Sequence, residues 1–358
     1  MTASQDRQNA LTRLLGLEYP LIQAPMAGST TPELVAAVSN AGGLGSVGSA
    51  MMPPQTLHDT AARLNALTNK PFNLNFFAHE TPRLEGYDAA PMQAALAPFY
   101  AEFGLGEVPA PAAPAPGFNA NTLELVLELR PRIVSFHFGL PDAGAIRALK
   151  DAGIVILGCA TTVAEARALE RGGADAIIAQ GHEAGGHRGT FLKRLDLGTV
   201  GTMALVPQVA DAVALPVIAA GGIADARGIA AAFMLGASGV QLGTAFLACP
   251  EANVHPVHRK ALAEASDDAT VVTRLFSGRP ARAIRNRMIE TLPEFEGKAA
   301  PFPTQRAMAA PLGMASAKAN NPDFMSLWSG QAAALARPEP AAEKVTRLMH
   351  EARVLLQA

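Results

Sequence analysis

Eight short apolar runs, set apart by amphipathic stretches, limit what this chain can fold into more than any other feature. They are 20–26 (PLIQAPM), 43–48 (GLGSVG), 71–77 (PFNLNFF), 132–138 (RIVSFHF), 153–158 (GIVILG), 174–180 (ADAIIAQ), 215–220 (LPVIAA) and 238–243 (SGVQLG). They show little alternation of apolar with polar residues, so they read as parallel strands buried on both faces. Helices are predicted between them, for example over 31–41, 142–152, 162–171 and 225–235. Thr31-Pro32-Glu33 sets a capping hydroxyl before a proline at the first helical position. Gly42-Gly43, Gly153 and Gly172-Gly173 fall where helices must stop. Repeated strand–helix units of this kind predict an α/β protein, a TIM (β/α)8 barrel.

The length of 358 residues exceeds a bare barrel and leaves room for additions. The expected organisation is a barrel over 11–250 with an insertion at about 79–120, a smaller covering domain over 251–320, and C-terminal helices returning to the barrel over 321–358. The insertion contains the proline-rich stretch 108–117, a stiff surface connection. Helices are expected at 321–336 and 341–356.

Apolar residues make up 49% of the chain and charged residues 17%, which supports a large core, and the formal net charge is only −2. No long basic or acidic block is present, so neither nucleic acid nor an anionic membrane is expected as a partner. Residues 1–10 are polar and lack the apolar centre of a signal peptide, and no run approaches the length of a membrane span. The two cysteines, Cys159 and Cys249, read as small buried apolar residues, and a reducing cytoplasmic setting fits them.

Barrel active sites lie at the carboxyl ends of the strands. The sixth run opens into Gly181-His-Glu-Ala-Gly-Gly-His-Arg-Gly189, a glycine-rich loop carrying an imidazole. His187 is the side chain there best suited to share a proton near neutral pH. His182 reads as its flank. The seventh run ends in Gly221-Gly222 and the eighth in Gln241-Leu242-Gly243-Thr244. Those positions commonly cradle a phosphate, with backbone N–H groups and the Thr244 hydroxyl as donors. The first run ends in Ala24-Pro25-Met26, small residues that suit backbone laid against a planar ring. Asn73 and Asn75 share one face of the third run, and Gln180 ends the sixth. Three amides round one mouth, opposite a phosphate cradle, match the needs of flavin mononucleotide (FMN). His137, ending the fourth run, is placed to line the same pocket.

Several patterns fail on context. Gly43–Gly48 matches G-x-G-x-x-G, but a helix precedes it and Met51-Met52-Pro53-Pro54 follows. His182, Glu183 and His187 do not make a zinc-binding helix, because the spacing is wrong and glycines interrupt it. His255 and His258 have no carboxylate cluster to complete a metal site.

QAPMAG, PFNLNFF, SFHFG, AQGHEAGGHRG, AAGGI and QLGTAF occur in that order from about residue 18. Together they resemble the nitronate monooxygenase family, formerly called 2-nitropropane dioxygenases. The phrase Phe324-Met-Ser-Leu-Trp-Ser-Gly-Gln331 resembles the carboxyl end of its class I branch. Flavin-dependent enoyl-thioester reductases and some NADH:quinone reductases share a version of the histidine loop, which keeps an FMN-dependent reductase as the alternative. The resemblance implies noncovalent FMN and the oxidation of alkyl nitronates with O2 to a carbonyl compound and nitrite, through a flavin semiquinone. It puts the catalytic histidine on His187 and flavin contacts on Asn75, Gln180, Gly185, Gly222 and Gln241–Thr244. Met26 and His137 match pocket positions. Phe302 stands in a segment where class I members often carry tyrosines and a lysine. Such a protein is expected to act as a monomer or homodimer on a small molecule.

Overall fold

The computed structural model describes residues 9–192 and 198–357. The polar start expected at 1–10 lies outside this range for residues 1–8, as does Ala358. Eight strands form one parallel sheet: β1 Leu21–Gln23, β2 Gly45–Gly48, β3 Phe72–Phe77, β4 Ile133–His137, β5 Val155–Ala160, β6 Ala176–Gln180, β7 Val217–Ala220 and β8 Gly239–Leu242. Neighbours run β1-β8-β7-β6-β5-β4-β3-β2. A parallel bridge between Ile22 and Leu44 joins the ends, with Leu44 N donating to Leu21 O and Gln23 N to Leu44 O, both at 2.9 Å. The sheet is thus a closed barrel, and each of the eight apolar runs contributes one strand.

Successive side chains of a strand point to opposite faces, and the packing follows that period. Ile22, Leu157, Cys159, Ile178 and Ile218 form an inner cluster together with Leu11 and Leu15. The helix Ala10–Leu15 therefore supplies apolar side chains to the barrel interior. Ile177, Ala179, Val217, Ala219, Val240 and Leu242 face outward and pack in a second cluster with residues of the surrounding helices. Each fully buried Ile or Leu of these layers contributes roughly 1.5–3 kcal/mol. The same alternation turns Asn75, Ser135, His137, Gln180 and Gln241 inward at the carboxyl ends of their strands, so the upper layer of the interior is polar.

The helices begin as their sequences dictate. The side chains of Thr31, Asp142, Thr162 and Asp225 accept from backbone N–H groups in the first turns of Pro32–Asn40, Ala143–Asp151, Val163–Arg171 and Ala226–Met234. Gly42, Gly153, Gly173 and Gly236 follow those helices at φ between 76° and 97°, where a β-carbon would be strained.

Two features depart from expectation. The stretch 321–336 is not a helix. Apart from the short 3-10 turn Ala333–Leu335 it runs irregularly across the barrel mouth. Its backbone bonds outward instead: Trp328 bridges Ala283, and Gln331 N donates to Glu183 O at 3.0 Å. The second departure is a small sheet within 251–320, made by β9 Thr270–Thr273 and β10 Ala281–Ile284. The helix Ala341–Gln357 is as expected.

A separate apolar cluster lies beside the barrel. Met92, Leu96 and Tyr100, from the helix Ala90–Glu102 inside the insertion, pack with Leu275, Phe276, Met288, Met308, Leu312 and Phe324. Tyr100 Oη donates to Met308 O at 2.8 Å, which ties the two distant segments together. No helix among the described residues is long and apolar enough to cross a membrane.

Candidate active site

The loop after β6 is held from both sides. Gly186 and His187 pair antiparallel with Ala281 and Arg282 of β10, which joins the loop to the small sheet. Gly186 has φ of 69°, and a β-carbon there would meet open space. At Gly185 the reason for glycine is different, since a β-carbon would stand 2.5 Å from the backbone nitrogen of Gly330. Loop and tail therefore touch backbone to backbone.

Buried charged groups fix the rest of the loop. Arg188, only 2% exposed, donates to the carbonyls of Gly181 (2.5 Å), Gln180 (3.1 Å) and Gly198 (2.9 Å). Burial pulls its pKa down to about 10, so it stays charged at neutral pH. Arg282 donates to His182 O, and Glu165 accepts from the backbone N–H groups of Phe191 and Leu192. Glu183 accepts from Thr202 N and Oγ1 at 2.9 Å. Its carboxylate thereby caps the helix Thr202–Ala210, where free N–H groups and the helix dipole favour an anion.

His187 stands in an aromatic box. The ring centroids of Phe77, Phe138, Phe302 and Trp328 lie 6.2, 6.1, 5.3 and 5.4 Å from its own. Its Nε2 is 2.9 Å from Ser277 Oγ. Burial, reinforced by His137, Arg279 and Arg306, pushes its pKa down to about 3. The imidazole is therefore neutral at physiological pH. His137 lies next to it, with Nε2 3.3 Å from His187 O, and burial lowers its pKa to about 4. His182 stays outside the box. Its carbonyl serves Arg282, and its Nδ1 is buried without a partner.

The remaining candidates divide into two groups. Asn75 Nδ2 donates to Ser135 Oγ at 2.9 Å, and Asn73 Nδ2 bonds Ser46 and Ser135, which leaves Asn73 Oδ1 buried and unpartnered. Gln180 is already engaged at both ends, with Nε2 on His187 O (3.0 Å) and Oε1 accepting from Gly189 N (2.8 Å). Its amide therefore shapes the histidine loop. Gln241 Oε1 is buried with no partner. Gly221 and Gly222 turn at φ of 110° and 71°. Thr244 Oγ1 accepts from Gly330 N at 2.9 Å and keeps its own proton to donate. β1 stops at Gln23, so Ala24, Pro25 and Met26 form an irregular loop. Ala24 N donates to Leu242 O at 2.8 Å, while Met26 packs on the outer apolar cluster.

Sequence reasoning missed Arg188, Arg279, Arg282, Ser277 and Glu165. Only Arg188 carried a local signal, as the cation next to the loop histidine. The other four lie between 22 and 95 positions from His187 in the chain. No cluster of His, Cys, Asp or Glu suited to a metal occurs among the described residues. His255 Nδ1 accepts from Val257 N and His258 Nε2 contacts Trp328 O, so both serve local structure.

A parallel barrel that gathers a buried neutral imidazole and glycine turns at its strand ends has the layout of an enzyme. The chain belongs to the nitronate monooxygenase family, whose family model matches residues 8–351. A probable nitronate monooxygenase of Staphylococcus aureus strain MSSA476 is 41% identical over 351 residues, covering 98% of this chain and 99% of the relative. The crystal structure of a nitroalkane oxidase from Streptomyces ansochromogenes superposes with a TM-score of 0.89 at 39% identity, over 97% of this chain and all of that one. FabK from Thermotoga maritima is also similar, with a TM-score of 0.76 at 32% identity over 98% of this chain and 97% of its own.

Proposed function

We propose that this protein oxidises alkyl nitronates with O2 to a carbonyl compound and nitrite, using FMN. The observation that carries this reading is the neutral His187 imidazole enclosed by four aromatic rings. A nitronate arrives already ionised, so the enzyme needs no strong base to prepare it. It needs an apolar seat and a hydrogen-bonding group, and the box supplies both. Residues 251–320, with the inserted helix, act as the substrate-covering part, and 11–250 as the flavin-binding barrel.

The residues at the mouth fit a flavin. Gln241 Oε1 is a buried acceptor with no partner, and Gly28 and Gly186 carry positive φ with open space where a β-carbon would stand. A planar ring can approach such backbone closely. Ala24, Pro25, Met26, Asn75, Gln180 and Gly185 would border the ring, and Gly221, Gly222, Gln241, Leu242, Gly243 and Thr244 its edge and phosphate. When bound, FMN supplies the electron transfer, and the protein orients and shields the reactants.

His187 and Ser277 together manage a proton without forming a charged ring. The Ser277 hydroxyl faces both His187 Nε2 (2.9 Å) and Arg279 O (3.3 Å). With its proton on the Arg279 carbonyl, it accepts from Nε2–H and leaves Nδ1 as an acceptor. With its proton on Nε2, Nδ1 carries hydrogen and donates. Either tautomer can serve a bound nitronate oxygen. A base with so low a pKa removes a carbon-bound proton slowly, so neutral nitroalkanes are poorer substrates than their nitronates.

The test is nitrite release from paired nitronate and nitroalkane substrates, in the native protein and in His187→Asn. The variant should keep its yellow flavin absorbance and lose roughly 100-fold or more of its turnover with neutral nitroalkane. Unchanged turnover would remove His187 from the chemistry. A second reading, a reductase that takes hydride from a reduced nicotinamide, draws on the likeness to FabK. Rapid anaerobic bleaching of the flavin by NADH, without nitrite release from any nitronate, would favour it.

A further inference from the structure

Arg279 is a cation in an apolar setting, and no carboxylate touches it; Glu165 acts on it only through its field. Its guanidinium carbon lies 3.8 Å from the centroid of Phe138 and 5.9 Å from that of Phe302, two walls of the box around His187. One amino group donates to Thr190 O. Its Nε is buried without a partner, and among the described residues no Asp or Glu forms an ion pair with it. A buried charge left unpaired is costly, and proteins keep one where a ligand completes it. Of the other polar groups, Arg306 also reaches His187 through its field, but its Nη1 is turned to Met51 Sδ at 3.4 Å, and the imidazoles carry no charge. The imidazoles of His79, His137 and His187 are all held neutral, first by burial and also by the field of Arg279. The ring of His79 is 5.0 Å from that of Phe302, and the Ala115 backbone is the polar group that acts on it against burial.

We infer that Arg279 is the charge-selecting residue of this pocket, which pairs with the anion of the bound substrate and so prefers a nitronate to the neutral nitroalkane. This rests on the proposed function and deepens it, because it names the group that separates two forms of one substrate differing only by a proton. A planar guanidinium stacked on Phe138 is preorganised to meet a planar anion edge-on. His187 then handles hydrogen bonding while Arg279 supplies charge.

The chain has one tryptophan, Trp328, and its ring centroid is 5.4 Å from that of His187. Its fluorescence gives a binding signal independent of turnover. Inorganic nitrate, a planar monovalent anion, should quench it saturably in the purified flavoprotein. Arg279→Gln should weaken nitrate binding and raise KM for nitronate by at least about tenfold, with KM for neutral nitroalkane and kcat for nitronate changed less than about twofold. Arg279→Lys, which keeps the charge, should restore most of the nitrate affinity. Equal losses for nitronate and nitroalkane, or unaltered nitrate affinity in Arg279→Gln, would overturn the inference. If Arg279→Gln fails to fold, the native protein still decides. Nitrate must then bind more tightly than nitromethane, a neutral molecule of similar shape, and more weakly as sodium chloride rises; equal affinities overturn the inference. Nitrate binding that depends on Arg279 in a protein that releases no nitrite would leave the charge site standing and remove the proposed reaction instead.

Discussion

The loop after β6 and the turns after β7 and β8 share one barrel mouth and are built by opposite means. The loop over 181–192 is long and is held by side chains. Arg188, Arg282, Glu165 and Glu183 each spend a charged group on backbone atoms or a helix end. The turn at Gly221-Gly222 is short and is shaped by φ values that suit glycine, with one neutral side chain, Thr202, on Gly221 O at 2.8 Å. The loop bears the buried imidazole of His187 and needs a setting that no standard turn provides. The turns present bare backbone, a surface that suits a cofactor common to many enzymes.

Removing the loop's central clamp should break this contrast most severely. Arg188→Met takes the guanidinium from the carbonyls of Gln180 and Gly198, at about 1–3 kcal/mol each, while Gly181 O keeps Ala184 N at 3.2 Å. A loss of roughly 3–5 kcal/mol in urea unfolding is expected, together with collapse of turnover. A variant within about 1 kcal/mol of native would show that the loop holds its shape without the guanidinium.

Acid should come next, acting on His137 and His187 at the loop and on His258 in the helix Pro256–Ala263. His137, His187 and His258 have pKa values lowered to about 4, 3 and 4, chiefly by burial. Their unfolded value is about 6.5, so below that pH the unfolded chain binds more protons than the native one. Stability then falls with pH down to the folded values, by roughly 1 kcal/mol per histidine for each unit. Between pH 6.5 and 5.5 the three together should cost about 3 kcal/mol. A melting temperature that stays level over that range contradicts this, while replacing His258 alone should remove about a third of the slope.

Gly221→Ala probes the turns and should have the smallest effect on folding. At φ of 110° its β-carbon would stand 3.1 Å from Ala184 N and Gly181 O. About 1–3 kcal/mol of strain is expected, with flavin retention falling more than stability does. Flavin held as tightly as in the native protein would show that this turn does not approach the cofactor.

The barrel was legible in the sequence because each strand announced itself locally, as a run of buried residues ended by a glycine or a helix cap. His187 was legible for the same reason, as an imidazole in a glycine-rich loop after a strand. What surrounds it was not. Ser277, Arg279 and Phe302 reach the imidazole only through the fold, and no spacing along the chain reveals that. Gln180 was visible as a buried amide, but its partners, His187 O and Gly189 N, were not. The stretch 321–336 misled because its apolar residues are spaced as in a helix. In the fold they face two different surfaces, Phe324 in the cluster beside the barrel and Leu327 in the barrel's outer layer.

The glycine-to-glycine contact at 185 and 330 also bears on the order in which the protein can be made. All eight strands are complete by Leu242, yet the seat of the imidazole waits for backbone almost ninety positions later. A growing chain can close its barrel well before it owns a working centre. On the proposed reading, the centre is finished late, and only in molecules whose stretch around Gly330 has come home.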